Sequence, residues 1–439
     1  MMGVKNQIHP LQRILKPGTP DAPRGVPSYC TANRQVLTAI LRDAARTGEN
    51  VLIEATANQV NQFGGYTGMR PFDFVSFIRD IARETCCDMR QIILGGDHLG
   101  PLTFAHEPEK AAMAKADELV YAYVQAGFSK IHLDTSMRVA DDPEGALDKR
   151  VVAERGARLC RSAETAYLAY RQKHPDAPRP VYVIGSEVPV PGGATEQEKH
   201  VSVTDPADCE ETLEIYRKTF SSCGLEEAWD SVIAVVVQPG VEFGDDVVFP
   251  YNSQKAAQLT AVLKKYPRLV FEGHSTDYQS EECLANMVRD GIGILKVGPA
   301  LTFALRKALF ALSYIEEEMI SDSIKRANLP AVLEREMLLR PGNWDNHYHG
   351  DSKALRLARA YSLSDRARYY LGYPGVCAAI ATLQKNINTL HIPLGLLHQH
   401  FPFVAERAAN SSMFVDSTEL IERTIMETVA QYIRATGCR

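Results

Sequence analysis

Eight short, apolar, β-branched runs, at 26–30, 51–55, 91–95, 130–134, 181–185, 232–237, 269–272 and 293–297, are each followed by a stretch with helical periodicity. No other feature restricts the possible folds so strongly. Most runs are apolar throughout instead of alternating, as strands buried on both faces must be, so they predict a parallel sheet covered by helices. The helical stretches fall at 33–47, 71–86, 110–126, 150–173, 208–222, 253–266, 280–289 and 300–318. Eight evenly spaced βα units are the signature of an α/β TIM (β/α)8 barrel; a doubly wound sheet has no need of them. Beyond residue 320 the strand signal stops. Helical patterns continue at 329–339, 352–361, 364–371, 376–384 and 416–435, punctuated by Pro341-Gly342, Tyr373-Pro374 and Pro402. The expected organisation is an irregular, proline-rich arm at 1–24, a barrel at 25–320 carrying the metal and substrate site, and an all-helical C-terminal extension at 321–439.

Composition narrows the function. The 439 residues are 45% hydrophobic and 23% charged, with a net charge of −6 and no block of like charge, so neither disorder nor nucleic-acid binding is expected. No apolar run approaches the ~20 residues of a membrane helix, and the N-terminus has no signal-peptide core, which points to a cytoplasmic protein without membrane contact. Nine cysteines, an odd number without metal-ligand spacing, read as reduced core residues. Cys30, at a strand end, reads the same way.

In such a barrel the chemistry lies at the C-terminal ends of the strands. Polar residues accumulate there: Glu54 after the second run, Asp97-His98 after the third, Asp134 after the fourth, Glu187 after the fifth, Gln238 after the sixth, Gly273-His274-Ser275-Thr276-Asp277 after the seventh, and Lys296 and Gly298 at the eighth. Asp97, His98, Glu187 and His274 bring four ligand-type groups to one rim. Imidazole and carboxylate suit a divalent metal, with zinc the expected ion, which would polarise a substrate carbonyl. His98, Glu187 and His274 are the expected metal ligands, and Asp97 or Glu187 the expected proton-transfer group. Glu54, Asp134, Gln238, Gly273, Ser275, Asp277, Lys296 and Gly298 are left to bind substrate. Mid-strand His132 fits a structural or a functional role equally well. Glycine-rich turns after the fifth, seventh and eighth runs would suit a phosphate. The polar clusters 343–349 and 398–400 in the extension read as packing or interface residues.

Several of these segments together resemble one family. GGDHLGP at 95–101, IHLDTSM at 131–137, GSEVPVPGG at 185–193, FEGHSTDY at 271–278 and LKVGPALTFALR at 295–306, with Gly25 to Cys30 and Ser364 to Tyr370, look like the GatZ/KbaZ family. Its members are described as tagatose-1,6-bisphosphate aldolase subunits, and some as D-tagatose 6-phosphate 4-epimerases. The resemblance implies a ketohexose phosphate as substrate, a class II tagatose-bisphosphate aldolase as a partner subunit, and an oligomer. The family is in turn similar to zinc-dependent class II aldolases, which implies Asp97 as acid/base and His98 and His274 as ligands. It departs at Gln238, where those aldolases place a histidine, and at Gly298, near their substrate-binding asparagine. A kinase label used for some members finds no phosphate loop or kinase signature here. The reaction implied is epimerisation at C4 by cleavage and re-formation of the C3–C4 bond, and the alternative is a non-catalytic subunit that supports an aldolase.

Overall fold

A computed structural model describes residues 8–15, 24–185, 201–404, 413–414 and 416–437. Eight parallel strands close into a barrel in sequential order: β1 (Val26–Cys30), β2 (Val51–Thr56), β3 (Ile92–Leu99), β4 (Lys130–Leu133), β5 (Val181–Ile184), β6 (Val232–Val237), β7 (Val270–Gly273) and β8 (Ile292–Val297). Eight helices wrap them: α1 (Arg34–Thr47), α2 (Pro71–Thr85), α3 (Glu109–Ala126), α4 (Lys149–Lys173), α5 (Pro206–Ser222), α6 (Ser253–Thr260), α7 (Glu281–Arg289) and α8 (Pro299–Met319). Local signals start them where expected. Asn33 accepts from the N–H groups of Gln35 and Val36 at the head of α1, and Asp205 caps α5 ahead of Pro206.

Three regions differ from expectation, one being a short antiparallel strand pair, His391–Ile392 with Met413–Phe414, inside the extension expected to be all-helical. The arm is not irregular throughout, since Pro10–Ile14 forms a helical turn capped by His9. It inserts Leu11 and Leu15 among Val26, Leu52, Ile93, Val181, Val183 and Ile294, closing the N-terminal end of the barrel interior with aliphatic packing. Residues 364–371 do not form a regular helix but a single 3-10 turn, Arg366–Tyr369. Asp365 is held at φ +47° there, because its carboxylate accepts from Thr302 Oγ1 at 2.6 Å and Arg306 Nε at 2.7 Å, which competes with a helical path.

The other extension helices are α9 (Leu329–Leu339), α10 (Ser352–Tyr361), α11 (Pro374–Thr389), α12 (Leu394–His400) and α13 (Ser417–Thr436). The apolar core runs unbroken from the barrel helices into α9, α11 and α13. The last helix returns to the barrel wall, where Tyr432 Oη donates to the Thr276 carbonyl at 2.6 Å and the N–H of Gly25 to the Thr436 carbonyl at 2.9 Å. Among the described residues, no helix is long and apolar enough to cross a membrane.

Candidate active site

On the inward face of several strands, aliphatic residues at the N-terminal end give way to polar ones towards the C-terminal end, while β4 is polar from its first residue. β2 passes from Leu52 to Glu54, β8 from Ile294 to Lys296, and β4 presents Lys130 and His132 and leads into Asp134. Room for this is made by glycine: a Cβ on Gly95 would lie 2.7 Å from Glu54 Cγ. Lys130 Nζ sits between Glu54 (2.6 Å) and Glu272 (2.7 Å), and Lys296 Nζ between Glu54 and Asp97, 2.6 Å from each.

Adjacent strand residues normally face opposite sides, yet Asp97 and His98 both turn to this site. A β-bulge explains it. Gly96 pairs with Ile131 and Leu99 with Leu133, so β3 holds one residue more than β4 across this stretch, and His98 takes φ +49°. Gly100 then allows the chain to pass the Asp134 carbonyl, which a Cβ would overlap at 1.6 Å.

Three imidazoles meet beside Asp97, with ring centroids 5.1 Å (His98–His132), 4.9 Å (His98–His274) and 5.4 Å (His132–His274) apart. Each is oriented by a carboxylate: His98 Nδ1 lies 2.8 Å from Asp134, His132 Nδ1 2.9 Å from Asp97, and His274 Nε2 3.0 Å from Glu272. A carboxylate only accepts, so those nitrogens carry hydrogen and the opposite ones present lone pairs. The His98 N–H also points at His132 Nδ1, but at 3.3 Å it is the longer contact, and the charge-assisted one decides the tautomer. His132 Nε2 is then a buried lone pair with no hydrogen-bond partner among the described residues.

One ligand atom from each of Asp97, His98, His132 and His274 fits within a 4.8 Å span. Charge points the same way. Glu54, Asp97, Asp134 and Glu272 are all buried carboxylates, and the two ammonium groups of Lys130 and Lys296 leave two negative charges uncompensated when the imidazoles are neutral. An orphaned lone pair, three oriented imidazoles and this charge deficit together fit a divalent cation.

Protonation follows from the same neighbours. Burial alone would raise the Asp97 carboxyl, but His98, Lys296 and His132 outweigh it and hold it well below the usual range. Burial lowers His98, yet Asp97 and Asp134 overcome this and raise it. Burial holds His274 down to about 3 despite its bond to Glu272. Lys296 is raised well above its ordinary value because Asp97, Cys30, Glu54 and Glu272 outweigh desolvation.

A cavity of about 630 Å³ opens onto the cluster, lined by Asp97, His98, His274, Ser275, Asp277, Lys296 and Gly298, by Thr31, Asn33, Asn58 and Gln59 from the β1 and β2 loops, and by Arg368, Tyr369 and Tyr373 from the extension. Several of the candidates are taken up by the scaffold of the site. Glu54 and Asp134 lie behind the first layer, bonded to lysine and histidine. Gln238 Oε1 accepts from the N–H groups of Gly240 (2.8 Å) and Val241 (2.9 Å), closing its own turn. Gly273 faces Ile292 and Met287 on the helix side. Glu187 lies outside the described residues. Asp277 occupies the start of α8, accepting from Gly298 at 3.0 Å and Ala300 at 2.8 Å, where a phosphate was the alternative. Two contributors fell outside the expected site residues: His132, which the sequence left open between a structural and a functional role although it stands two residues after Lys130 and two before Asp134, and Arg368, which stood only within the segment Ser364 to Tyr370 that carries the family resemblance.

The fold and site together define a (β/α)8-barrel protein with a buried cation-type cluster at the C-terminal ends of its strands. The chain belongs to the GatZ/KbaZ-like family: the model described as "D-tagatose-1,6-bisphosphate aldolase subunit GatZ/KbaZ-like" matches residues 11–437. It is 47% identical over 415 residues to a D-tagatose 6-phosphate 4-epimerase from Agrobacterium fabrum, covering 94% of this chain and 95% of that one. It is 45% identical over 408 residues to the D-tagatose-1,6-bisphosphate aldolase subunit GatZ of Salmonella newport, covering 93% and 95%. A crystal structure titled as a probable tagatose 6 phosphate kinase from Sinorhizobium meliloti superposes with a TM-score of 0.84 at 41% identity, over 94% of this chain and 100% of that one.

Proposed function

We propose that this chain is a D-tagatose 6-phosphate 4-epimerase, forming D-fructose 6-phosphate by retro-aldol cleavage of C3–C4 and re-addition. The observation that carries this reading is the assembled cluster: three carboxylate-oriented imidazoles beside an ionised Asp97, opening into a cavity of the size that small-molecule ligands fill. Charged groups buried this deeply are costly to the fold, and a purely supporting subunit gains nothing from them.

His98, His132 and His274 would hold the ion, with zinc the best match to an imidazole set. When bound, a divalent cation supplies Lewis-acid polarisation of the ketose carbonyl. Asp97, kept ionised by Lys296 and its histidine neighbours, takes the proton from the C4 hydroxyl as the C3–C4 bond breaks. The three-carbon enediolate and the aldehyde fragment stay in the cavity. The aldehyde turns its other face, the bond re-forms, and Asp97 returns the proton to the new C4 oxygen, so atoms and charge balance. Lys296 balances the Asp97 carboxylate before the proton is taken and after it is returned. A cytoplasmic setting fits a phosphorylated substrate.

The second reading, a subunit supporting a class II tagatose-bisphosphate aldolase, draws on the relative named GatZ. The purified chain, given D-tagatose 6-phosphate without any partner, separates the two. Formation of D-fructose 6-phosphate is expected. No turnover with zinc, manganese or magnesium, together with stabilisation of an aldolase chain, would overturn the epimerase reading.

A further inference from the structure

Besides its histidines, the cavity has three cationic side chains among the described residues: Arg34, Lys296 and Arg368. Two are already matched by carboxylates, Lys296 by Glu54 and Asp97 and Arg34 by Glu84 at 2.5 Å. Arg368 is different. Among the described residues its guanidinium hydrogen-bonds neutral partners, the carbonyls of Ser364 and Asp365, the Tyr66 hydroxyl and, at 2.9 Å, the Tyr369 hydroxyl, and it stacks 4.4 Å from the Tyr369 ring centroid. These contacts leave over some of the five N–H donors that a guanidinium offers in a planar fork.

The segment bearing Arg368 is fixed in place. Asp365 is tied to Thr302 and Arg306 of α8. Asp245, in the β6–α6 connection, accepts from Ser362 Oγ at 2.7 Å and Ser364 Oγ at 2.8 Å, and Tyr278, after β7, donates to the Leu363 carbonyl at 2.5 Å. Three barrel elements thus hold one turn of the extension over the cavity, with Tyr66 of the β2 loop meeting Tyr369 edge to face at 4.8 Å. Such preorganisation lowers the ordering cost of binding. The start of α8, the usual phosphate position in this fold, is filled by the Asp277 carboxylate.

We propose that Arg368, with the hydroxyls of Tyr66 and Tyr369, forms the subsite for the phosphate monoester of the substrate. This rests on reading the cavity as a sugar-phosphate site. It also supplies what that chemistry needs: after C3–C4 cleavage the phosphate belongs to the aldehyde fragment, and a clamp remote from the breaking bond retains that fragment while its carbonyl face turns.

The test compares D-tagatose 6-phosphate, unphosphorylated D-tagatose and inorganic phosphate by calorimetry on wild type, Arg368→Gln and Arg368→Lys, with circular dichroism as the folding control. Arg368→Gln is expected to weaken D-tagatose 6-phosphate binding by roughly 30-fold or more, to abolish inorganic phosphate binding, and to leave D-tagatose unchanged, with Arg368→Lys in between. Unchanged D-tagatose 6-phosphate affinity in Arg368→Gln, or equal loss for D-tagatose, would overturn the assignment. Arg368-dependent phosphate binding without any turnover would sink the epimerase reading and leave this subsite standing. Turnover with Arg368-independent binding would do the reverse.

Discussion

At the N-terminal end of the barrel interior, Leu11 and Leu15 from the arm meet Leu52, Ile93, Val183 and Ile294 in an aliphatic layer; towards the other end Glu54 and Lys296, two residues along from Leu52 and Ile294, join Lys130 and Glu272 in a buried ion network. Strand register, not separate elements, sets the boundary between them. The aliphatic layer adds stability by removing apolar surface from water. The ionic layer spends some of it to hold imidazoles and Asp97 in fixed protonation states. Their adjacency matters, because a dry floor beneath the lysines and glutamates keeps water from screening them.

The contrast can be broken from either side. Lys130→Met leaves Glu54 and Glu272 with Lys296, already shared with Asp97, as their one remaining ammonium partner among the described residues, and is expected to cost about 3–5 kcal/mol in denaturant unfolding. A loss below 1 kcal/mol would mean the network is not a buried, interdependent unit. Leu11→Ala removes only apolar packing. It should cost about 2–4 kcal/mol while leaving turnover at 25 °C unchanged, and a large fall in turnover with the fold intact would show that the two ends are not separable. The smallest effect, read over one pH unit, concerns His9, which caps the helical turn of the arm. Burial, helped by Arg13, holds His9 down to about 3, so the folded chain keeps it neutral while the unfolded chain protonates it below pH 6.5. That stability is present above the unfolded value and is lost as pH falls, by about 1.4 kcal/mol per pH unit below 6.5. His9→Asn, which retains a cap, should remove this slope, and an unchanged pH dependence would contradict the assignment.

The same contrast explains what could be read from the sequence. The barrel was legible because every strand is an apolar run with a helix behind it, and β-branched runs such as 232–237 admit few other readings. Asp97, His98 and His274 were legible because they follow such runs directly. His132 was ambiguous because it lies within its strand, and only the bulge at Asp97-His98 brings it into a set with its neighbours. Gln238 was expected to bind substrate, but its side-chain oxygen closes its own turn, a contact that the residue type and position alone do not reveal. Arg368 depends on contacts between residues about 60 to 120 positions apart, such as Asp365 with Thr302 and Ser362 with Asp245, and no local pattern encodes them.

The central claim is that the polar end of the barrel is built around one divalent cation. Metal content by plasma mass spectrometry, measured on the purified wild type and on His132→Ala after equilibration with zinc and dialysis, tests it most directly. About one equivalent per wild-type chain and a loss of most of it in a folded His132→Ala are predicted. A wild type that retains no metal, or a His132→Ala that retains as much as wild type, would contradict the account.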